Sequence, residues 1–471
     1  MNLLMQWGLR ISIATFAVLH FFTSVVDSPF LVHMLGVIGF LLLLFSGLRV
    51  SIKRFKLPSI LLVTGVGIIV LSGVDIVDGL FRGIIQMRDV IGLLIIVPLI
   101  SWVLREEPYI EDIMAYFYRF INTSRRFYFG LTAFTQIIAY FLLFGSISMM
   151  YQFVGVVLKK QTDEVWENFK GTAILRGFAL ATLWVISIPS FIFAVETLGA
   201  SLWVVILQGF GLAIAGTLMA TVFSYFQEKK YGVNLTPVLQ QEMKSLLKHA
   251  SSKEARRGKV IEFSFLFISL FGSILLLHAF LHVKLMLIIP IVIIIWTFAF
   301  YVYKRKLGRL KYVAKVFFKE DMTNQSYQLS VMLSVGVLIY GLNQTNFANN
   351  VVDGLYYMQS HLPFLNVLYL LPFIIIILGF FSLGPLTVMV LVAGILENMS
   401  IPYPPELIVL AITSGSAISI VLSPLIMPVI VLSASNGLSL LKNGITFNYK
   451  FAIMFYVLIQ VYIQSIVYFW Y

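Results

Sequence analysis

The chain has 471 residues, of which 60% are hydrophobic and only 11% are charged, and its mean hydropathy is +0.95. Soluble globular proteins carry about 25% charged residues, so this composition excludes that class. Apolar runs long enough to cross about 30 Å of hydrocarbon recur along the chain, and they are continuous instead of alternating. The sequence therefore predicts an all-α polytopic membrane protein, multi-pass in the cell membrane, and excludes a transmembrane β-barrel.

The formal net charge is +12, and the chain contains no cysteine. Lysine and arginine lie mostly in short segments beside the apolar runs, which is the pattern of cytoplasmic loops and not of a nucleic-acid-binding surface. We therefore predict the lipid bilayer as a partner and exclude nucleic acid. The lack of cysteine excludes disulfides, thiolate catalysis and cysteine-based metal sites.

The first part of the chain, residues 1–126, is predicted to form N-terminal scaffold helices. Its first apolar run lacks a clear small-residue cleavage site, so we interpret that run as a span and not as a signal peptide. An amphipathic stretch rich in arginine follows the last span. The predicted spans are 5–26, 30–50, 57–80 and 89–104.

A first repeat is predicted over 127–226. It begins with a very long apolar element, 127–158, and continues through a hydrophobic segment that polar residues, glycine and proline interrupt, 173–199. A span over 202–226 ends the repeat. The basic segment that follows, 227–259, is predicted to be a cytoplasmic loop.

The remaining chain comprises scaffold helices over 260–345 and a second repeat over 346–471. The second repeat contains another long apolar element, 362–396, a second interrupted segment, 407–437, and a last span near 450–471. In total we predict about 11 transmembrane helices plus two broken or re-entrant hairpins, which are the two interrupted segments.

The two repeats share a register of glycine residues. Gly145 in the first long element corresponds to Gly384 in the second, and 176–199 then aligns without gaps with 414–437. If all the basic segments lie in the cytoplasm, the repeats cross the membrane in opposite directions. Inverted repeats are typical of secondary transporters, whose substrate site lies at the repeat interface.

The interrupted segment of the second repeat is rich in small polar residues. Glycine and proline interrupt helices and free backbone groups, which need partners inside a membrane. Freed carbonyls and hydroxyls can hold Na⁺, and half-helix N-termini attract anions. The alternative is that small residues only allow close helix packing. The candidate substrate or ion ligands here are Thr413, Ser414, Gly415, Ser416, Ser419, Ser423, Pro424 and Asn436.

The interrupted segment of the first repeat adds two charged residues. Arg176 suits an anionic substrate, and the alternative is an interfacial charge at the start of the segment. Glu196 is the candidate carrier of a proton or cation, and the alternative is a charge at the outer surface. The candidates in this repeat are Arg176, Ser187, Pro189, Ser190, Glu196 and Thr197.

Sequence motifs for nucleotide binding and serine hydrolysis are absent. His278 and His282 have the i, i+4 spacing of metal ligands, but no HExxH motif surrounds them. The sequence therefore predicts no enzyme activity, no bound metal and no cofactor beyond coupling to Na⁺ or H⁺.

The layout resembles the ion-transporter superfamily, which includes divalent anion/sodium symporters, citrate carriers, arsenite permeases and the large subunits of TRAP transporters. The resemblance rests on Arg176–Gly199 and Thr413–Gly437, together with the long elements before them. It implies two inverted repeats, each with a re-entrant hairpin and a broken helix, and an elevator-like movement of the repeat core. The Ser-Asn-Thr signature of the dicarboxylate carriers is absent, so the substrate stays open.

We therefore expect a secondary active transporter that moves a small anion, coupled to Na⁺ or H⁺, by alternating access. A homodimer is compatible with this class. Two alternatives stay open, namely a membrane-embedded enzyme of envelope polysaccharide assembly (a polymerase or ligase) and a flippase of lipid-linked precursors. The enzyme needs a substantial extracytoplasmic loop with acid/base residues, and the candidate loops, 159–172 and 346–363, are short.

Overall fold

The computed structural model describes residues 3–50, 55–107, 109–117, 122–158, 161, 163–249, 253–281, 283–361, 366–380 and 383–470. It is 85% helical, and the described residues contain no strand. Among them, seven helices are long and apolar enough to cross a membrane, or eight if one bent pair counts as a span. The prediction of an all-helical, multi-pass membrane protein is therefore confirmed.

Seven helices form the N-terminal scaffold. They are α1 (Leu3–Val25), α2 (Pro29–Arg49), α3 (Lys56–Leu71), α4 (Ile76–Gln86), α5 (Arg88–Ile96), α6 (Ile100–Leu104) and α7 (Tyr109–Phe117), with a 3-10 turn between α5 and α6. The predicted single span over 57–80 is wrong, because Gly73 adopts a φ of +75° and ends that helical run. The Asp75 carboxylate then starts α4 by accepting a hydrogen bond from the backbone N–H of Asp78. α4 and the stretch from α5 to α6 form a pair bent by 42°.

Five helices follow in the first repeat region. They are α8 (Ser124–Leu142), α9 (Gly145–Val157), α10 (Glu164–Ala181), α11 (Pro189–Thr197) and α12 (Leu202–Tyr231). The side chains of Thr123 and Asp163 cap α8 and α10, respectively, by accepting backbone N–H groups. The long apolar element predicted over 127–158 is two helices, because Leu143 takes a φ of +47° and ends α8.

The second scaffold region contains a helix buried deeply against the first. Its helices are α13 (Thr236–His249), α14 (Lys253–Leu281), α15 (Leu285–Tyr303), α16 (Leu307–Val316), α17 (Met322–Asn324), α18 (Ser326–Asn343) and α19 (Phe347–His361), with a π-helical turn at Phe317–Asp321. α18 packs on α3 and α4. A Cβ at Gly336 would lie 2.3 Å from the carbonyl oxygen of Gly83, so glycine is required where the two backbones touch.

The last part of the chain repeats the order of the first repeat region. Its helices are α20 (Val367–Phe380), α21 (Pro385–Leu396), α22 (Pro405–Leu422), α23 (Met427–Asn436) and α24 (Phe447–Trp470), with a π-helical turn at Lys442–Thr446. α22 and α23 together form one candidate span of 32 residues, Pro405–Asn436. The segment 407–437 is thus an interrupted helix and not the predicted hairpin.

One end of the helix bundle carries a network of ion pairs, and we call it the basic face. Glu107 pairs there with Lys259 at 2.9 Å and with Lys306 at 3.1 Å. The hydrogen bond from Lys259 holds the pKa of Glu107 below its usual value of 4.5. α8 starts at this end, where the backbone N–H of Ser124 donates to Thr236 after the end of α12.

The opposite end, which we call the far face, holds the end of α11 and the starts of α12, α15 and α22. The backbone N–H of Ser201, just before α12, donates to Glu406 at the start of α22 at 2.8 Å. The Glu196 carboxylate accepts hydrogen bonds from the first backbone N–H groups of α15. These contacts place the end of α11 and the starts of α12 and α22 at the far face.

Candidate functional site

α8 runs beside α10 in the same direction, from the basic face inward. Near the start of α8 and halfway along α10, the Tyr128 hydroxyl donates to Thr172 Oγ1 at 3.0 Å. Near the end of α8 the Ser187 hydroxyl, beyond α10, donates to the carbonyl of Tyr140 at 2.6 Å. The second contact lies further along both segments than the first, so α8 and α10 are parallel.

α9 runs back along α10 in the opposite direction. At its start the Phe144 ring lies 5.5 Å from the Phe178 ring. Further along, the Tyr151 hydroxyl donates to Glu167 at 2.7 Å, close to the start of α10. α8 and α9 therefore form a helical hairpin that turns at Leu143, next to the end of α10.

α20 runs beside α22 in the same direction, from the far face inward. A Cβ on Gly415 would meet the backbone of Pro372 at 2.7 Å, so the two helices nearly touch there. Further along, the Ser423 hydroxyl donates to the carbonyl of Gly379 at 3.0 Å. The second contact again lies further along both helices than the first, so α20 and α22 are parallel.

α21 returns toward the far face. Its first residue, Pro385, lines the same small space as Ser416 in α22. Beyond its end, Glu397 interacts electrostatically with Lys284, which precedes α15 at the far face. Burial nevertheless raises the pKa of Glu397 above its usual value. α20 and α21 thus form a second helical hairpin, and it enters from the opposite face to the first.

Two helices are interrupted in the interior. Between α10 and α11 the chain forms turns from Thr182 to Ile188, and all seven of these residues are buried. Between α22 and α23 the Ser423 hydroxyl accepts a hydrogen bond from the backbone N–H of Leu425 and satisfies part of the break. Such breaks leave backbone groups without helical partners, and a membrane protein tolerates them against protein or a wet cavity.

A small cavity of about 40 Å³ lies where these parts meet. A cavity of this size holds a small ion or two to three water molecules, and it is far smaller than a drug-sized pocket. Its walls are mostly apolar and include the first hairpin turn, at Leu143 and Phe144, and the start of α21. The residues that matter most for its chemistry are Thr182, Pro189, Ser190, Gln328, Pro385 and Ser416. The structure thus brings together candidates from both repeats, Ser190 and Ser416.

Two helices begin at this cavity. Pro189 and Ser190 are the first residues of α11, and Pro385 and Leu386 are the first residues of α21. A helix N-terminus carries partial positive charge and unpaired backbone N–H groups. The site is therefore electropositive without a fixed cation, which suits an anion.

Two serine hydroxyls near the cavity have no hydrogen-bond partner among the described residues. Both belong to α22: Ser416, which lines the cavity, and Ser419, which lies one turn further along and faces Gly379. A buried hydroxyl without a partner costs about 1–3 kcal/mol. A ligand or water in the cavity would offset this cost at Ser416.

Four of the other predicted hydroxyls have protein partners. Each donates to a main-chain carbonyl, which supports the close-packing alternative for these residues. Thr413, Ser414, Ser187 and Ser423 donate to Val409, Ala411, Tyr140 and Gly379 at 2.9, 2.9, 2.6 and 3.0 Å, respectively.

Three further candidates of the second repeat lie away from the cavity. Gly415 serves the close approach of α22 to α20 described above. Pro424 lies in the break between α22 and α23. Asn436 ends α23, where its amide exchanges hydrogen bonds of 2.8 and 2.9 Å with Asn443. These residues shape the interrupted helix instead of lining the cavity.

Arg176 is fully buried, but its guanidinium is held by protein groups. Nε donates to Asn448 at 2.9 Å, Nη1 to the Tyr128 hydroxyl at 3.1 Å and Nη2 to the Phe447 carbonyl at 3.0 Å. The ring of Phe451 lies 4.6 Å from the guanidinium carbon. Arg176 therefore joins α10 to α8 and α24, and it does not line the cavity.

Glu196 and Thr197 end α11 at the far face. The Glu196 carboxylate accepts hydrogen bonds from the backbone N–H groups of Leu285 and Met286. A carboxylate at this position stabilises α15, because the positive end of the helix dipole lies there. Glu196 thus joins the first repeat region to the second scaffold region.

The sequence analysis did not predict Gln328 as a site residue. It also did not predict the turns of the two helical hairpins, α8–α9 and α20–α21. Gln328 is one of two amides in the apolar helix α18, and the other, Asn343, ends the helix, so an amide near the middle of the membrane was a usable signal. Gly145, Ser146 and Ser148 follow the turn at Leu143, but the sequence analysis assigned them to one long apolar element.

No family model matches the chain, and no curated protein matches it either. The geometry of the cavity and of the two hairpins therefore carries the functional argument.

Proposed function

We propose that the chain is a secondary active transporter of the cell membrane that moves a small anion by alternating access, coupled to Na⁺ or H⁺. One observation carries this proposal: the N-termini of α11 and α21 converge on a small cavity beside the unpaired hydroxyl of Ser416. Two helix N-termini attract an anion, and their partial charges release it more readily than a fixed cation would.

We infer two repeats, α8–α12 and α20–α24, from the reciprocity of their packing. Each consists of a hairpin, an interrupted helix and a long helix. α9 of the first repeat packs on α23 of the second, and α21 of the second packs on α11 of the first. Likewise α10 contacts α23 while α22 contacts α11, and α10 and α22 contact each other. A pseudo-two-fold axis between the repeats accounts for this exchange.

The directions of the helices support an inverted relationship between these repeats. The first hairpin enters from the basic face and the second from the far face. The interrupted helix α10–α11 runs from the basic face to the far face, and α22–α23 runs the other way. An axis in the membrane plane relates two such units, which is the arrangement of alternating-access carriers.

The proposal has about 11 membrane crossings. The eight candidate spans supply most of them, and α3, α10–α11 and α18 supply the rest. The two hairpins do not cross. Because lysine and arginine favour the cytoplasm, we assign the basic face to the cytoplasmic side.

In this proposal the hairpins and interrupted helices form a core that moves against the scaffold helices. The contact of Glu196 with the start of α15 joins core to scaffold. An elevator-like movement, as implied by the resemblance to the ion-transporter superfamily, has to break this contact once per cycle. The small cavity volume of about 40 Å³ fits a closed state with no room for a larger substrate.

A vesicle uptake screen tests the proposal. The purified protein is reconstituted, and radiolabelled inorganic anions and mono-, di- and tricarboxylates are offered under an inward Na⁺ or proton gradient. We expect accumulation of at least one small anion under one of the gradients. Absence of uptake for every anion, together with turnover of a lipid-linked sugar, would favour the membrane-embedded enzyme instead.

Two neighbouring serines give a matched pair for the site itself. Ser416 faces the cavity with an unpaired hydroxyl, whereas Ser414 donates to its own helix. We expect Ser416→Ala to raise the half-saturating anion concentration by about 2- to 10-fold, the equivalent of one hydrogen bond. Ser414→Ala should leave it unchanged. Equal effects of the two variants would assign both serines to packing.

A further inference from the structure

His20 is a buried imidazole that nothing above explains. It lies in α1 with no exposed surface, and neither ring nitrogen has a hydrogen-bond partner among the described residues. Gly92 of α5 packs against the ring, and a Cβ there would lie only 2.3 Å from Cδ2 of His20. A polar ring buried without a partner is unfavourable, so its presence in an apolar helix needs a reason.

The nearest charged group is Asp89 at the start of α5. Its Oδ1 atom lies 3.5 Å from Nδ1 of His20 and 3.5 Å from Nε of Arg88. This oxygen makes no hydrogen bond in that position. One carboxylate oxygen thus lies between two basic side chains, and it can pair closely with either.

The helices packed around this group contribute few other charges. Glu196 of α11 interacts electrostatically with Asp89, and Lys284 stands beside Glu196 at the start of α15. On α4, Asp78 and Arg82 pair with each other at 2.8 Å. α18 has no charged residue.

An open cavity of about 770 Å³ leads from the far face toward Asp89. Along α4 it is lined at successive turns by Asp78, Arg82 and Gln86, and Gln86 precedes Asp89 by three residues. The other walls are polar as well and include His33 of α2, Asn343 and Asn398. Water in this cavity therefore reaches Gln86, three residues before Asp89, and the Asp89 side chain is itself 16% exposed.

We propose that His20 and Asp89 form a proton-binding site that loads from the far face and couples proton entry to transport; this inference rests on the proposed function. A proton from the water of the cavity reaches the imidazole by way of the partly exposed Asp89 carboxylate, and the hydronium ion that supplied it becomes water. The product is an imidazolium paired with a carboxylate, in which Nδ1–H of His20 donates to Asp89. The protonated ring then competes with Arg88 for the same oxygen.

The site is placed to act on the anion cavity through two helices. Leu94 of α5 lines that cavity, five residues and about 7.5 Å along the helix from Asp89. α11 packs on α5, and it carries Glu196 at one end and Ser190 in the cavity at the other. The positive charge gained at His20 therefore arises beside Asp89, which interacts with Glu196 at one end of α11, while Leu94 of the same helix as Asp89 lines the cavity at the other end.

Nuclear magnetic resonance of the protein with ¹⁵N-labelled histidine, in lipid nanodiscs, tests proton binding without any substrate. The chain has 6 histidines, and His20→Gln identifies the His20 signal by its loss. We expect the imidazole of His20 to become protonated as the pH is lowered, and the midpoint of this change to move to lower pH in Asp89→Asn, which removes the partner of the imidazolium. A His20 that stays neutral throughout, or a midpoint that Asp89→Asn leaves unchanged, overturns the proton site.

Vesicle uptake then tests coupling, with an anion identified by the screen above. We expect a pH gradient to drive accumulation by the wild type, and both His20→Gln and Asp89→Asn to lose at least about 10-fold of this accumulation, equivalent to about 1.4 kcal/mol. His278→Gln, a histidine outside this group, is the matched control and should behave as wild type. Asp89→Glu should restore part of the accumulation, which a purely structural role of Asp89 would not predict.

The two proposals fail in different ways. A wild type that accumulates the anion equally with and without a pH gradient overturns the coupling role of His20 and Asp89, and the transporter stands. A wild type that takes up no anion overturns the proposed function, and the coupling role falls with it.

Discussion

The polar groups buried in this protein divide into those with protein partners and those without. Arg176 and Ser414 have partners that satisfy them, whereas Ser416 and His20 have none among the described residues. Partnered groups hold helices together, and their hydrogen-bonding capacity is used in those contacts. Unpartnered groups carry a cost in the resting structure, so they are the better candidates for binding a ligand or a proton.

Arg176 gives the sharpest test of this division. Replacing it with alanine leaves the Asn448, Tyr128 and Phe447 acceptors without their donor, so we expect Arg176→Ala to lose about 3 kcal/mol or more of stability. The exposed Arg82 is the matched control, and Arg82→Ala should leave the unfolding temperature in detergent unchanged. A stable Arg176→Ala protein that fails to bind anions would restore the substrate-binding role predicted from the sequence.

The lowered pKa of Glu107 allows a prediction of how the stability of the basic face depends on pH. Its folded-state pKa is lowered, chiefly by the hydrogen bond from Lys259, so its contribution is present above the usual pKa of 4.5 and is lost as pH falls through the folded-state value. We expect Glu107→Gln to lower the unfolding temperature at about pH 7 and to approach wild type as the pH falls below 4.5 and through the lowered folded-state pKa. A difference that is the same at every pH would show that the carboxylate charge is irrelevant.

At the scale of helices, glycine decides how closely the interrupted segment is held. A Cβ at Gly209 of α12 would lie 1.9 Å from the carbonyl oxygen of Leu183, in the break that follows α10. The long helix α12 therefore supports the break directly, backbone against backbone. This contact determines where the N-terminus of α11 lies relative to the cavity.

A pair of glycines two residues apart tests this support. Gly209→Ala should cost about 1–3 kcal/mol of stability and reduce anion uptake, because the new methyl group displaces the break. Gly211 has nothing within 4 Å of its Cβ position, so Gly211→Ala should be neutral or stabilise the helix by up to about 1 kcal/mol. Thermal unfolding and vesicle uptake are measured for both variants. Similar losses in Gly209→Ala and Gly211→Ala would show that helix propensity alone causes the effect.

At the scale of the whole molecule, the proposed orientation assigns the basic face to the cytoplasm. The chain has no native cysteine, so single cysteines report on it directly. Lys319→Cys, on the basic face, should resist an impermeant thiol reagent in intact cells, and Asp353→Cys, on the far face, should react. The reverse pattern would show that the far face, and not the basic face, lies in the cytoplasm. Equal reaction at both sites would contradict the number of crossings proposed between them.

The interruptions were predictable because their cause is local. Pro189 and Pro424 lie at the two breaks, and proline lacks the backbone donor that continues a helix, so the segments 173–199 and 407–437 stood out as irregular. Gly415 was predicted to interrupt the helix as well, but it lies inside α22, where it allows close contact with α20. The hairpins were not predictable in this way. An apolar run of the length of 127–158 has the same composition whether it crosses once or turns back at Leu143, since both forms satisfy their backbone internally.

The sequence by itself determined the class of this protein, because burying so many apolar side chains in lipid and satisfying every backbone group there leaves helices as the solution. It also marked Ser190 and Ser416 as polar groups beside helix breaks. Only the tertiary structure decided that these two serines line one cavity, that the Arg176 guanidinium binds residues of α24, and that His20 lies beside Asp89. Those outcomes depend on contacts between segments far apart in the chain, and no local preference of the backbone specifies such contacts.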